Sequence, residues 1–152
     1  MKRITIFGCL LMGGLLTLAG CGGGGGGAGS PSSGSAVTSP FDTGPRAADS
    51  PVDEALATQG EALFKTKTCS TCHGFGMRIT GPDLNGVTQR RSAAWMEQQM
   101  LHPDVMTKQD PIARGLLGKY AVQMPNLMLQ PDEVKALIEF LKRKNKETAV
   151  AR

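Results

Sequence analysis

Two thiols and an imidazole stand together in the run Lys67-Thr68-Cys69-Ser70-Thr71-Cys72-His73-Gly74. Paired cysteines serve several chemistries. The two-residue gap between Cys69 and Cys72 makes a disulfide loop too small to staple much chain. A thioredoxin-like redox pair requires a βαβ setting, and the flanking sequence offers none. A structural zinc site needs about four ligands, but His102 is the only other histidine, and the remaining cysteines, Cys9 and Cys21, stand near the start of the chain. A catalytic thiol needs no partner two residues away. The fourth reading is covalent attachment of a haem, for which Cys-x-x-Cys-His is the sequence signature. On a helical turn both sulfurs lie on nearly one side, where they can meet the two vinyl groups of one porphyrin. His73 then falls where its imidazole reaches the iron.

The elements that must position this turn read as helices. Asp53 to Lys67 has Pro51 before it, Asp53 and Glu54 in its first turn and Lys65 and Lys67 in its last, the charge order that a helix dipole favours. Gly60 inside it costs about 1 kcal/mol relative to alanine, which points to close packing there. Residues 74–91, rich in glycine and polar side chains, read as loop. Ser92 reads as the N-cap of a helix to about Leu101, carrying Trp95, Met96 and Met100, with Pro103 as its stop. A short helix is expected over 111–120. A last one starts at Pro131, with Val134, Leu137, Ile138 and Leu141 on one face and a basic end at Lys142, Arg143 and Lys144. No stretch alternates as a strand does, so the expected fold class is all-α.

The front of the chain reads as an export signal over residues 1–20: Lys2 and Arg3, then an apolar run from Ile4 to Ala19, shorter than a comfortable membrane span. Its end, Leu18-Ala19-Gly20-Cys21, resembles the lipobox of bacterial lipoproteins, in which the cysteine is acylated and becomes the mature N-terminus. That resemblance implies a lipid anchor on Cys21 and an extracytoplasmic, cell-envelope location. Residues 21–51, dominated by Gly, Ser and Pro, read as a flexible tether with an r.m.s. span of roughly 30 Å. The folded domain is expected over 52–146 and a short tail over 147–152. Only 5% of residues are aromatic, a thin supply for a small core that a large apolar cofactor would supplement. The charge balance, 17 Lys and Arg against 13 Asp and Glu, does not argue for nucleic acid.

With Gly60-x-x-Leu63-Phe64 ahead of Cys69-Ser70-Thr71-Cys72-His73, then Gly81-Pro82-Asp83-Leu84, Met124-Pro125 and a final helix with Phe140 and Leu141, the domain resembles a monohaem class I cytochrome c. The resemblance implies one covalently bound haem c on Cys69 and Cys72, with His73 as one axial ligand of the iron. It implies that the first and last helices cross at Gly60 and Phe140. A methionine sulfur is expected opposite the histidine. Met77 lies too near the attachment turn, and Met96 and Met100 suit core packing. Met124, in an irregular stretch before Pro125, is the candidate, with Met128 and His102 as alternatives. By the same resemblance the Pro82 carbonyl accepts the free N–H of His73, although Pro82 also reads as a plain turn residue. Leu84 is expected to pack on the porphyrin. Trp95 packs at its edge, donates its N–H to a propionate, or is an ordinary core residue. Arg90 and Arg91 pair with propionates or form a solvated basic turn.

With both axial positions filled, the haem has no open site for substrate, so the expected function is a membrane-tethered single-electron carrier between redox protein partners, and not an enzyme. The competing reading is a gas-binding haem sensor or enzyme with a labile sixth ligand. The run GPDLNGVTQRR, followed by Trp95, Asp110-Pro111 and Met124-Pro125-Asn126-Leu127, is loosely similar to cytochrome domains found beside copper-containing oxidases and reductases, including nitrous oxide reductase systems.

Overall fold

The computed structural model describes residues 38–150. The signal segment, Cys9, Cys21 and most of the expected tether lie outside the described residues. The described part is helical, with no β-strand among its elements. Six helices follow one another: α1 (Glu54–Thr66), α2 (Val87–Arg90), α3 (Ala93–Leu101), α4 (Pro103–Gln109), α5 (Pro111–Tyr120) and α6 (Pro131–Val150), with 3-10 turns at Ala47–Asp49 and Cys69–Thr71. None of the described helices is long and apolar enough to cross a membrane.

The helix starts follow from side-chain capping. Asp53 accepts the Leu56 N–H at 3.0 Å, Ser92 that of Trp95 at 3.2 Å, and Asp110 that of Ala113 at 2.8 Å. Each satisfies an amide that the helix leaves without a partner. At α6 the cap works from inside the helix, where Glu133 accepts the Gln130 N–H at 2.9 Å. Pro103, expected as a stop, also opens α4 at its first position. Proline lacks the N–H that a first turn would waste, so one residue ends a helix and begins the next. The loop expected over 74–91 contains the single helical turn α2.

α1 and α6 form the main helix pair, and Gly60 is where they touch. A Cβ on Gly60 would lie 2.0 Å from the Ala136 carbonyl oxygen and 2.8 Å from the Phe140 Cβ. Beside this crossing, Phe64, Phe75 and Phe140 form a three-ring cluster with centroids 5.2 to 5.9 Å apart. Such pairings add to area burial. The core continues through Met96, Met106, Leu137 and Leu141.

Two expected boundaries move. Residues 39–50, read as the end of the tether, pack as a strap on the domain. Asp42, its side chain 8 % exposed, accepts both the Ser92 N–H at 2.7 Å and the Arg46 guanidinium at 3.0 Å, and pairs with Arg91 at 3.5 Å. Ala47 is buried, and its N–H donates to the Arg91 carbonyl at 3.0 Å. Low apolar content concealed this, because polar pairings hold the strap. At the other end, α6 runs on to Val150 through residues expected as tail, with Thr148 donating to the Asn85 side chain at 2.7 Å.

Candidate haem site

α1 ends in a sharp turn. Thr68, at φ +58°, takes a left-handed conformation that is costly for a β-branched residue. The chain then closes one tight turn in which the His73 N–H donates to the Cys69 carbonyl at 3.0 Å. The two cysteines of this turn are not joined in a disulfide and are half-buried. Burial pushes the Cys69 thiol above its ordinary pKa.

A second strip of chain folds back against the turn. The Gly81 N–H donates to the Cys72 carbonyl at 2.8 Å, and the Leu84 N–H to the Gly74 carbonyl at 2.9 Å. Asp83 gathers the N–H groups of Gly76 and Asn85, both at 2.8 Å. This places the Pro82 carbonyl 2.8 Å from His73 Nδ1. A carbonyl only accepts, so Nδ1 carries the proton and Nε2 is left with its lone pair for a metal. Gly81 makes the approach possible, since a Cβ there would lie 2.8 Å from the His73 Cε1.

These residues wall a cleft that is open to solvent. Cys69, His73, Pro82, Leu84, Trp95 and Met124 all line it, whereas Cys72 does not. Much of the remaining wall is aliphatic, with Val87, Leu116, Leu117, Leu127, Leu137 and Leu141. Of the alternative ligands, Met128 is 75 % exposed and His102 is exposed; neither lines the cleft.

Trp95 is committed otherwise than to a propionate. Its indole N–H donates to Asp110 at 3.1 Å, while its ring is buried and lines the cleft. Asp110 is fully buried and also accepts from Ala113 and the Ser39 hydroxyl. It thus ties α3, α5 and the strap together. Arg91 stacks over Trp95, 5.2 Å from the ring centroid, and Arg90 donates to the Asn85 carbonyl at 2.7 Å.

Two contributors were not singled out by sequence reasoning, and a third, Gly81, was named there only as part of a motif. Asn145 of α6 is buried; it accepts from the Thr88 N–H and hydroxyl, both at 3.0 Å, and donates to the Leu84 carbonyl at 3.0 Å. It pins the strip that carries Pro82 and Leu84. Gln99 donates to the Met124 sulfur at 3.8 Å. Gly81 sits against the imidazole. Asn145 had one visible signal, an uncharged polar residue on the apolar side of α6.

The site offers two thiols on one turn, an imidazole with one nitrogen free, and a thioether in the wall of the same apolar cleft. Among the described residues no group of three or more His, Cys, Asp or Glu converges to hold a metal by itself. That donor set suits an iron that arrives in its own ring of nitrogens and asks the protein only for axial ligands and thiol anchors. Fold and site together define a small all-α protein built to hold a covalently attached haem. Residues 57–144 match the cytochrome c family, and the chain belongs to that family. Its members carry one covalently attached haem c with its iron and transfer electrons. The chain is 45% identical over 87 residues to cytochrome c-551 of Stutzerimonas stutzeri, covering 57% of this chain and 78% of that protein. It is also similar in structure to a cytochrome c from Rhodothermus marinus, with a TM-score of 0.61 and 32% identity over 67% of this chain and 96% of the other. An engineered form of the Rhodothermus protein gives a TM-score of 0.60 at 32% identity, over 66% of this chain and 96% of its own.

Proposed function

We propose that the chain carries single electrons at the outer face of a bacterial membrane, with the haem bound through Cys69 and Cys72 and its iron held by His73 and Met124. The carrying observation is that the His73 imidazole, fixed through Nδ1 by the Pro82 carbonyl, and the Met124 sulfur line one cleft. A haem held by these residues would supply one-electron chemistry, and a thioether ligand would favour its ferrous form and raise the potential. The protein's part is to close both axial positions, exclude water with Leu84, Leu116 and Leu127, and keep the imidazole in one orientation.

The lipobox-like Leu18-Ala19-Gly20-Cys21 supports an anchor on Cys21, since multiple acylation holds a protein durably at a membrane where one chain does not. Residues 22–38 then form the tether, shorter by the length of the strap. Redox proteins are the partners, and a copper-containing oxidase or reductase is the first acceptor to try, on the resemblance of the GPDLNGVTQRR run.

An absorption spectrum of the matured protein tests the ligand assignment. A weak red charge-transfer band in the ferric form, lost in Met124→Ala, is expected. No such band in the wild type, with ready binding of carbon monoxide to the reduced form, would overturn the carrier in favour of a protein with a labile sixth site. For the anchor, the mature wild type is expected to begin at Cys21 and to carry acyl mass, and Cys21→Ala is expected to carry none; a wild type with no acyl mass would sink the lipid assignment.

A further inference from the structure

Both N–H groups of Trp95 are taken by residues that the strap holds. Its backbone N–H donates to the Ser92 hydroxyl at 3.2 Å, and its indole N–H to Asp110 at 3.1 Å. The strap reaches each of these acceptors. Asp42 accepts the Ser92 N–H at 2.7 Å, and the Ser39 hydroxyl donates to Asp110. Two further bonds fasten the residues just ahead of α3. Arg46 donates to the Arg90 carbonyl at 2.9 Å, and the Ala47 N–H to the Arg91 carbonyl at 3.0 Å.

The strap therefore grips one side chain through both of its polar partners. That side chain is 4 % exposed and lines the haem cleft. Residues 39–50 precede the stretch that matches the cytochrome c family, 57–144, so the family's own fold does not account for them.

We propose that the strap is an outer part of the haem site: Ser39 and Asp42 are positioning residues for Trp95, keep water from its side of the cleft, and so hold the reduction potential up. The inference rests on haem lying in that cleft. A wetter cleft stabilises the added charge of ferric iron, so release of the strap lowers the potential. Coupling of this kind is reciprocal. The factor by which the docked strap favours ferrous iron equals the factor by which reduction favours docking. Oxidation thus loosens the root of the tether.

The test uses the full-chain holoprotein as wild type, Asp42→Asn, Ser39→Ala and Ser39→Thr. The potential is titrated, and the near-ultraviolet circular dichroism of Trp95, the chain's single tryptophan, is recorded. Tryptic cleavage after Arg46 reports the strap, because that bond is open to attack only when the strap lifts. Asp42→Asn and Ser39→Ala are expected to show a lower potential, an altered Trp95 band and faster cleavage than wild type. Ser39→Thr keeps the hydroxyl and is expected to behave as wild type, which itself should be cut faster when ferric than when ferrous. Faster cleavage of both variants with potential and Trp95 band unchanged would overturn the inference and leave the strap as packing only. Unchanged cleavage in both, equal cleavage of the two oxidation states of wild type, or a shift in Ser39→Ala that Ser39→Thr shares would overturn it as well. Bright Trp95 emission from the wild-type holoprotein, unquenched by haem, would overturn it together with the placing of haem in this cleft.

Discussion

Gly60 and Phe140 meet at the crossing of α1 and α6, where a methyl group on the first would stand 2.8 Å from the Cβ of the second and 2.0 Å from the backbone oxygen of Ala136. The neighbours are backbone and a β-carbon, so nothing flexible can give way. The helix that presents the haem-attachment turn is therefore positioned against α6 by the absence of a side chain.

Gly60→Ala is expected to cost about 3 kcal/mol, near the upper end for overpacking, read as a lower denaturant midpoint of the holoprotein. Gly115 and Gly118 of α5 supply the contrast, since a Cβ there meets nothing within 4 Å. Replacing either with alanine is expected to stabilise by roughly 0.5–1 kcal/mol through helix propensity and reduced unfolded-state entropy. A Gly60→Ala protein as stable as wild type would refute the crossing.

Asn145→Ala leaves the Thr88 N–H and the Leu84 carbonyl without their partner in a buried place. A loss of about 3 kcal/mol is expected, from stranded groups costing about 1–3 kcal/mol each. Because Asn145 pins the strip holding Pro82, the same variant is expected to bind carbon monoxide or imidazole more readily than wild type. Stability lost with no change in ligand access would confine Asn145 to a packing role.

Trp95→Phe keeps the ring and removes the donor to Asp110. A cost of roughly 1–3 kcal/mol is expected, with the pH dependence of the reduction potential unaltered, because the indole N–H serves a buried carboxylate. A changed pH dependence would show that the indole N–H does interact with a propionate.

Acid weakens the strap. Burial works to raise the Asp42 carboxyl, but the Ser92 backbone N–H, the Arg46 side chain and the Ser92 side chain overcome it and hold the group below its ordinary range. A carboxyl depressed in the folded state contributes stability that is fully present above its unfolded value of about 3.9 and is lost as pH falls through the folded value. Asp42→Asn is thus expected to be about 2 kcal/mol less stable than wild type at neutral pH, as for a hydrogen-bonded charge. The gap should narrow below about pH 4. Unfolding curves of the two proteins across that range decide it; a constant gap would mean that the charge is idle.

The residues of the attachment turn were legible because their chemistry is local. Two thiols and an imidazole within five residues, Cys69 to His73, restrict what they can do whatever surrounds them. Helix starts at Ser92, Pro111 and Pro131 were legible for the same reason, since a cap is a bond to an amide two or three residues away. Pro103 stops α3 as expected, and the start of α4 there went unread because a proline that stops one helix is equally suited to open another.

What only the tertiary structure decided lies between residues far apart in the chain. The strap looked like spacer because its order depends on Asp42 meeting Ser92, 50 residues on. Trp95 could not announce that its N–H belongs to Asp110, nor Asn145 that it holds Thr88 and Leu84, nor Gln99 that it reaches Met124. Composition and spacing record which groups a chain owns and which of them stand within a turn of one another. Polar side chains find their partners only when the backbone has folded, because each has several possible partners, and burial leaves them the ones the packing brings within reach.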